Sequence, residues 1–314
     1  MKLFIKSHPK AKRGNVRRNN KNRPRPHRGP GRKTNGSGQG LAIAAAIAVP
    51  TTALGIAGYA AMTMMSTEEP DANHCYARED QHQAVIFVDN SIEGQSGSQL
   101  RDYRTAFIRA YDNAPANSLI KITSTARTQG GSFAQPSFVI CKPASTPAEQ
   151  EAIGAPAQPA PMLARIAATA RGEYEAMVDQ VIADAQDASQ TAKDSPIFEQ
   201  FQAISNYDDF TGPNRSLTSI TDGVSNSDSA RFCFVKGDLV SFDQFKERRS
   251  YQYVEPRSFE GVDVTLLLVE IAEFPVPEAP YCSNADIRDF WTDYFKANGA
   301  KSVDLRRLRY WQDS

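Results

Sequence analysis

The sequence predicts an α/β fold, a doubly wound and mostly parallel sheet with helices on both faces. Three observations predict it. Six short runs of strand character alternate with stretches whose apolar residues recur at helical spacing. Two of those runs, QAVIFVD and SLTSITD, end in an aspartate. No internal repeat is visible, and residues 83–314 suffice for one such domain with insertions.

Taken in order, Gln83–Asp89 is a short apolar run that suits a buried strand. Ser98–Tyr111 follows with Leu100, Tyr103, Phe107, Ala110 and Tyr111 on one helical face, and Pro115 closes it. Ser118–Ser124 is the second strand. Gly130 and Gly131 mark a turn, and Ser137–Cys141 is the third strand. Residues 144–161 hold Pro147, Pro156, Pro159 and Pro161 among alanines and read as a surface insertion. Met162–Ala192 is a long helix facing inward through Leu163, Ile166, Ala170, Tyr174, Met177 and Val181. Pro196 starts another, with Ile197, Phe201 and Ile204 inward. Ser216–Asp222 is the fourth strand and Gly261–Ile271 the fifth. Ser283 or Asn284 caps a helix bearing Ile287, Phe290, Trp291, Tyr294 and Phe295, which Gly299 ends. Val303–Tyr310 is the sixth strand.

A different kind of sequence precedes this body. The 314 residues carry 36 Lys and Arg and 36 Asp and Glu, but the balance conceals an asymmetry. Thirteen of the bases lie in residues 1–39, which contain no acid, so the rest of the chain holds 23 bases against 36 acids, a net of −13. Residues 1–39 have too little apolar surface to offset the entropy of ordering and read as a disordered cytoplasmic tail. Its charge suits anionic lipid or nucleic acid, without sequence-specific binding; the alternative, favoured because it has no stacking platform for bases, is that it only fixes membrane orientation. Residues 40–66 are uncharged and long enough to cross a bilayer at about 1.5 Å per residue. They read as a transmembrane helix. With the bases before it and Glu68, Glu69 and Asp71 after it, the positive-inside rule leaves the N-terminus cytoplasmic and sends the acidic body to the periplasm or cell exterior. The tail is longer than a signal-peptide n-region, which favours an uncleaved signal anchor over a cleaved leader. Residues 67–82 form a linker to the domain.

All four cysteines, Cys75, Cys141, Cys233 and Cys282, fall beyond the span. An even number in an exported domain suggests disulfides, with three connectivities open and four buried thiols the alternative. His74, Cys75 and His82 are too scattered for a zinc site. The chain has no GxSxG, P-loop or GxGxxG, and its two body histidines precede or open the domain, so the expectation is that it is not an enzyme.

In an open parallel sheet, ligands gather at the carboxyl ends of the strands where strand order reverses. Asp89-Asn90-Ser91-Ile92-Glu93 follows the first strand, Asp222-Gly223 follows the fourth, and Ser195 opens a helix between them. These hard oxygens suit Mg²⁺, with Mn²⁺ or Ca²⁺ as substitutes. The order strand–DxSxx–helix, then a hydroxyl residue at a helix start, then strand–DG, resembles the von Willebrand factor type A (vWA) domain, a Rossmann-like fold. That family's metal-ion-dependent adhesion site reads DxSxS, Thr, Asp. The resemblance implies metal ligands at Asp89, Ser91, Ser195 and Asp222. Glu93 replaces the family's second Ser and either binds the ion directly or swings outward. Without a cation, Asp89, Glu93 and Asp222 repel one another.

The resemblance also implies an antiparallel third strand at the sheet edge. That places Cys141 with Cys75 at one rim and Cys233 with Cys282 at the other, hence Cys75–Cys141 and Cys233–Cys282 bridges. The implied function is a membrane-anchored adhesion or scaffold module that binds a protein partner at the carboxyl-end rim. The alternative is a structural subunit of an envelope or secretion-type machine with a degenerate, metal-free site.

Overall fold

The computed structural model describes residues 68–92, 95–125, 136–188, 194–233, 241–269 and 282–308. The tail at 1–39, the span at 40–66, the Gly130-Gly131 turn and Glu93 lie outside them. Among the described residues no helix is long and apolar enough to cross a membrane.

The fold is α/β, built on a six-stranded mixed sheet with one antiparallel member. Its strands are β1 (Gln83–Val88), β2 (Leu119–Ser124), β3 (Phe138–Cys141), β4 (Arg215–Thr221), β7 (Val262–Val269) and β8 (Ser302–Leu308), in the spatial order β3-β2-β1-β4-β7-β8. Only β3 runs antiparallel to its neighbour. A separate hairpin pairs β5 (Ser225–Asn226) with β6 (Arg231–Phe232). The order reverses between β1 and β4, which places a crevice at their carboxyl ends.

Alternation along the strands feeds two cores. On one face, Ala84, Ile86 and Val88 of β1 meet α1 (Gly97–Asn113) and α3 (Ala160–Ala188). Helix α1 buries Tyr103, Phe107 and Tyr111, spaced four apart, and its start is fixed by a capping box of Ser96 with Gln99. On the other face, Val85 and Phe87 meet α4 (Ile197–Ser205) and α7 (Asn284–Ala297). Ser283, and not Asn284, is the N-cap of α7, in a second capping box with Asp286. The chain leaves that helix through Asn298 and Gly299, whose φ of 92° a side chain would resist. Phe198 is the hub of this second core, with ring centroids 4.8 Å from both Phe245 and Trp291.

Three short helices were not among the expected elements. Helix α2 (Pro147–Ala152) lies inside the expected insertion, capped by Thr146 and burying Gln150. Helices α5 (Phe242–Lys246) and α6 (Tyr251–Val254) bury Phe242, Phe245, Tyr251 and Val254. Each is too short to show a helical period.

Residues 68–82 form a packed arm at the amino end of the sheet, which differs from a free linker. Asp71 accepts from the N–H groups of Asn73 and Cys75, holding a turn in which His74 takes a φ of 65°. The Cys141 N–H donates to Asn73 O at 2.8 Å, and Asn117 exchanges two side-chain bonds with the backbone of Tyr76. Cys75 and Cys141 stand at disulfide distance with Cα atoms 5.0 Å apart, and so do Cys233 and Cys282 at 5.4 Å. These are the pairings the resemblance implied, and they occupy all four cysteines.

Candidate functional site

The last residue of β1 is Val88, so Asp89 is delivered to the crevice at the switch point, fully buried. Its carboxylate collects four hydrogen bonds. Oδ1 accepts from the Ser91 N–H at 3.0 Å and from the Ser91 hydroxyl at 2.5 Å. Oδ2 accepts from the Ser195 hydroxyl at 3.2 Å and from the Thr221 hydroxyl at 2.9 Å. Three chain stretches, following β1, preceding α4 and ending β4, therefore converge on one carboxylate. Burial raises the Asp89 pKa, and the bonds from Ser91, Thr221 and Ser195 pull it back.

Ser195 is positioned differently from the sequence expectation. It does not open the helix, because Pro196 holds the N-cap position of α4. Instead Ser195 is clamped to the β5–β6 hairpin. Its N–H donates to Asn226 O at 2.7 Å, and the Asn226 N–H returns a bond of 2.9 Å.

Asp222 follows β4 directly and is half-buried. Its Oδ1 accepts from the Val224 N–H at 2.8 Å. Desolvation, then the charge of Asp89, pushes its pKa up to about 8. The turn beyond it is fixed from the other side. Gly223 adopts a φ of 77°, its N–H donates to Thr221 Oγ1, and its carbonyl accepts from Trp291 Nε1 at 3.0 Å.

Two further buried groups belong to this neighbourhood. The Asn90 side chain is 1 % exposed, and among the described residues its amide nitrogen and oxygen have no partner. The Tyr103 hydroxyl on α1 is also buried and, among the described residues, without a partner. Desolvation raises its pKa, and the charges of Asp222 and Asp89 raise it further. Buried polar groups left in this state call for water or an ion beside them.

The structure thus joins Asp89, Ser91 and Ser195 by direct bonds and sets Asp222 one residue beyond a fourth member, Thr221. Sequence reasoning missed Thr221, although its signal was the hydroxyl just before the strand-ending Asp in ITDG. Glu93 lies outside the described residues. Among the described residues no three His, Cys, Asp or Glu side chains gather as a metal-ligand group, so the rim offers two carboxylates and several hydroxyls. The dispersed trio His74, Cys75 and His82 stays dispersed. His74 meets Glu173, Cys75 meets Cys141, and His82 lies between Ser118 and Ser216. No protein-family model matches the chain, and no curated protein matches it in sequence.

Proposed function

We propose that the chain is a membrane-anchored, exported interaction module that resembles a vWA domain and engages a protein partner at the carboxyl-end rim of its sheet. The observation that carries this reading is the convergence of the Ser91, Ser195 and Thr221 hydroxyls on buried Asp89 at the switch point. The antiparallel edge strand β3 supports the same likeness.

The residues present fit a divalent cation. Each hydroxyl that gives its one proton to Asp89 faces any third group as a pure acceptor, which is what Mg²⁺ seeks. Asp222, desolvated and repelled by Asp89, would be stabilised as a carboxylate by a nearby positive charge. Ser91 and Ser195 would hold the ion, and Asp89 and Asp222 would balance its charge. A bound Mg²⁺ supplies an open coordination position for a partner's carboxylate. The unpartnered polar atoms of Asn90 and Tyr103 would be available to the ion's waters.

Calorimetry of the purified full chain with MgCl₂ and with MnCl₂ tests this. Saturable binding is expected for both ions, with Asp89→Asn abolishing it and Ser91→Ala weakening it. Absence of heat with either ion, in a folded protein, removes the metal from the reading.

A second reading draws on the saturation of Asp89 by protein donors, which lets the rim stand without an ion. The chain is then a structural subunit of an envelope or secretion-type machine, contacting a cytoplasmic component through its basic tail. Deleting residues 2–34 separates the two, since loss of function with membrane insertion retained favours the subunit.

A further inference from the structure

A cavity of about 630 Å³ opens at the opposite end of the sheet, where the parallel strands begin, and the rim function makes no use of it. That volume is in the range of small-molecule sites. Its charged and titratable lining comprises Arg78, Asp80, His82, Arg215, Asp263 and Lys301.

Most of these charges are already balanced. Arg78 forks onto the Glu68 carboxylate at 2.6 and 2.8 Å. Asp263 accepts from Lys301 at 2.9 Å and from Ser302 at 2.6 Å. Asp80 acts on Arg78 through its charge, and among the lining cations Arg215 is the exception. Its two terminal nitrogens donate to the carbonyls of Phe210 and Glu260, and its guanidinium lies 5.5 Å from the centre of the Phe210 ring. Among the described residues no acid pairs with it, and its buried Nε–H has no acceptor. A guanidinium fixed in this way, with its charge uncompensated, is prepared for an oxyanion.

His82 adds the complementary character. The Ser118 hydroxyl gives its proton to Pro115 O at 2.7 Å, so it accepts from His82 Nδ1 at 3.1 Å. That assigns the proton to Nδ1 and leaves the lone pair on Nε2. Burial lowers the pKa of the ring, and Asp263 opposes the shift. Among the described residues Nε2 faces the Ser216 hydroxyl alone, at 3.5 Å, the limit of a hydrogen bond. Register explains why these groups share one edge, because Ala84, Ser216, Asp263 and Ser302 align across β1, β4, β7 and β8. The cleft therefore presents a strong oxyanion donor and a neutral acceptor suited to a ligand hydroxyl.

We propose that this cleft binds the phosphate ester of a small polyol, with the phosphate on Arg215 and a hydroxyl on His82 Nε2. The same chemistry occurs in a free glycerol phosphate and in the headgroup of phosphatidylglycerol.

The test is calorimetry and thermal unfolding of the full chain in detergent micelles, with glycerol 3-phosphate in one arm and monomeric dihexanoyl-phosphatidylglycerol in the other. Binding in the first arm identifies a free ester, and binding in the second alone identifies a lipid headgroup. In either case Arg215→Gln should weaken binding by about ten-fold or more, and Arg215→Lys should recover part of it. Because Arg215 also holds two backbone carbonyls, His82→Gln provides a second variant, with weakened glycerol 3-phosphate or headgroup binding expected. No heat and no rise in unfolding temperature in either arm overturns the proposal, as does binding that neither residue affects.

Discussion

The hydroxyl of Thr221 lies 2.9 Å from Oδ2 of Asp89, so the end of β4 is fastened to the end of β1 across 132 residues of sequence. The same oxygen accepts from the Gly223 N–H, which makes Thr221 a pivot between the buried acid and the turn that carries Asp222. Thr221→Val keeps the shape and removes both bonds. It should cost about 2–3 kcal/mol, whereas Thr221→Ser should cost far less. Urea unfolding measures both. Equal stabilities for the two variants would mean that the hydroxyl is idle.

Asp222 makes a pH-dependent prediction. Its folded-state pKa, near 8, stands above that of an unfolded aspartate, so the folded state holds a proton that the unfolded state releases. Its contribution is therefore fully present below about pH 4 and is lost as the pH rises through about 8. Asp222→Asn removes this loss. In EDTA the variant should gain stability over the parent across that interval, by about 1–3 kcal/mol at its upper end. Parallel pH curves for the two proteins would contradict the raised Asp222 pKa, to which desolvation contributes first and the charge of Asp89 second.

Gly223 is required by both its φ and its surroundings. A Cβ there would come within 2.5 Å of the Ile287 methyl and 2.9 Å of Trp291 Nε1. Gly223→Ala should destabilise by about 2 kcal/mol or more and alter the Trp291 fluorescence as its bond to the Gly223 carbonyl is displaced. An unchanged unfolding midpoint would show that α7 yields easily.

The two disulfides predict a mapping result and a stability result. Unreduced digests should yield Cys75–Cys141 and Cys233–Cys282 peptides. A Cys75–Cys233 fragment would refute the arrangement. Replacing both members of the first pair by Ala should lower stability by about 2–4 kcal/mol, since it closes a long loop of 66 residues.

Five of the six strands were legible because each joins local strand character to buried positions, edge strand β8 because half-buried Val303 and Leu305 alternate with exposed Asp304 and Arg306, and α1 and α7 because their caps and stripes are local signals. The first cap box, Ser96 with Gln99, is written within four residues. Asp89 and Asp222 were legible as acids at strand ends. Thr221 was not, because a strand threonine looks the same whether it faces solvent or a carboxylate from a distant strand. The clamp on Ser195 was hidden for a similar reason, since β5 and β6 are two residues each and their pairing depends on tertiary placement. The arm at 68–82 read as a linker because its anchors, Asn117 and Cys141, lie far along the chain.

The Cys75–Cys141 link has a mechanical consequence. Tension applied from the N-terminal side of the domain passes at Cys75 directly into edge strand β3, and the intervening stretch is held slack inside a covalent ring. At about 3.5 Å per residue, roughly 230 Å of contour is withheld from extension. Strands β1 and β2, and with them the base of the acidic rim, are thus sheltered from a pull at the N-terminal side of Cys75 for as long as the sulfurs remain oxidised.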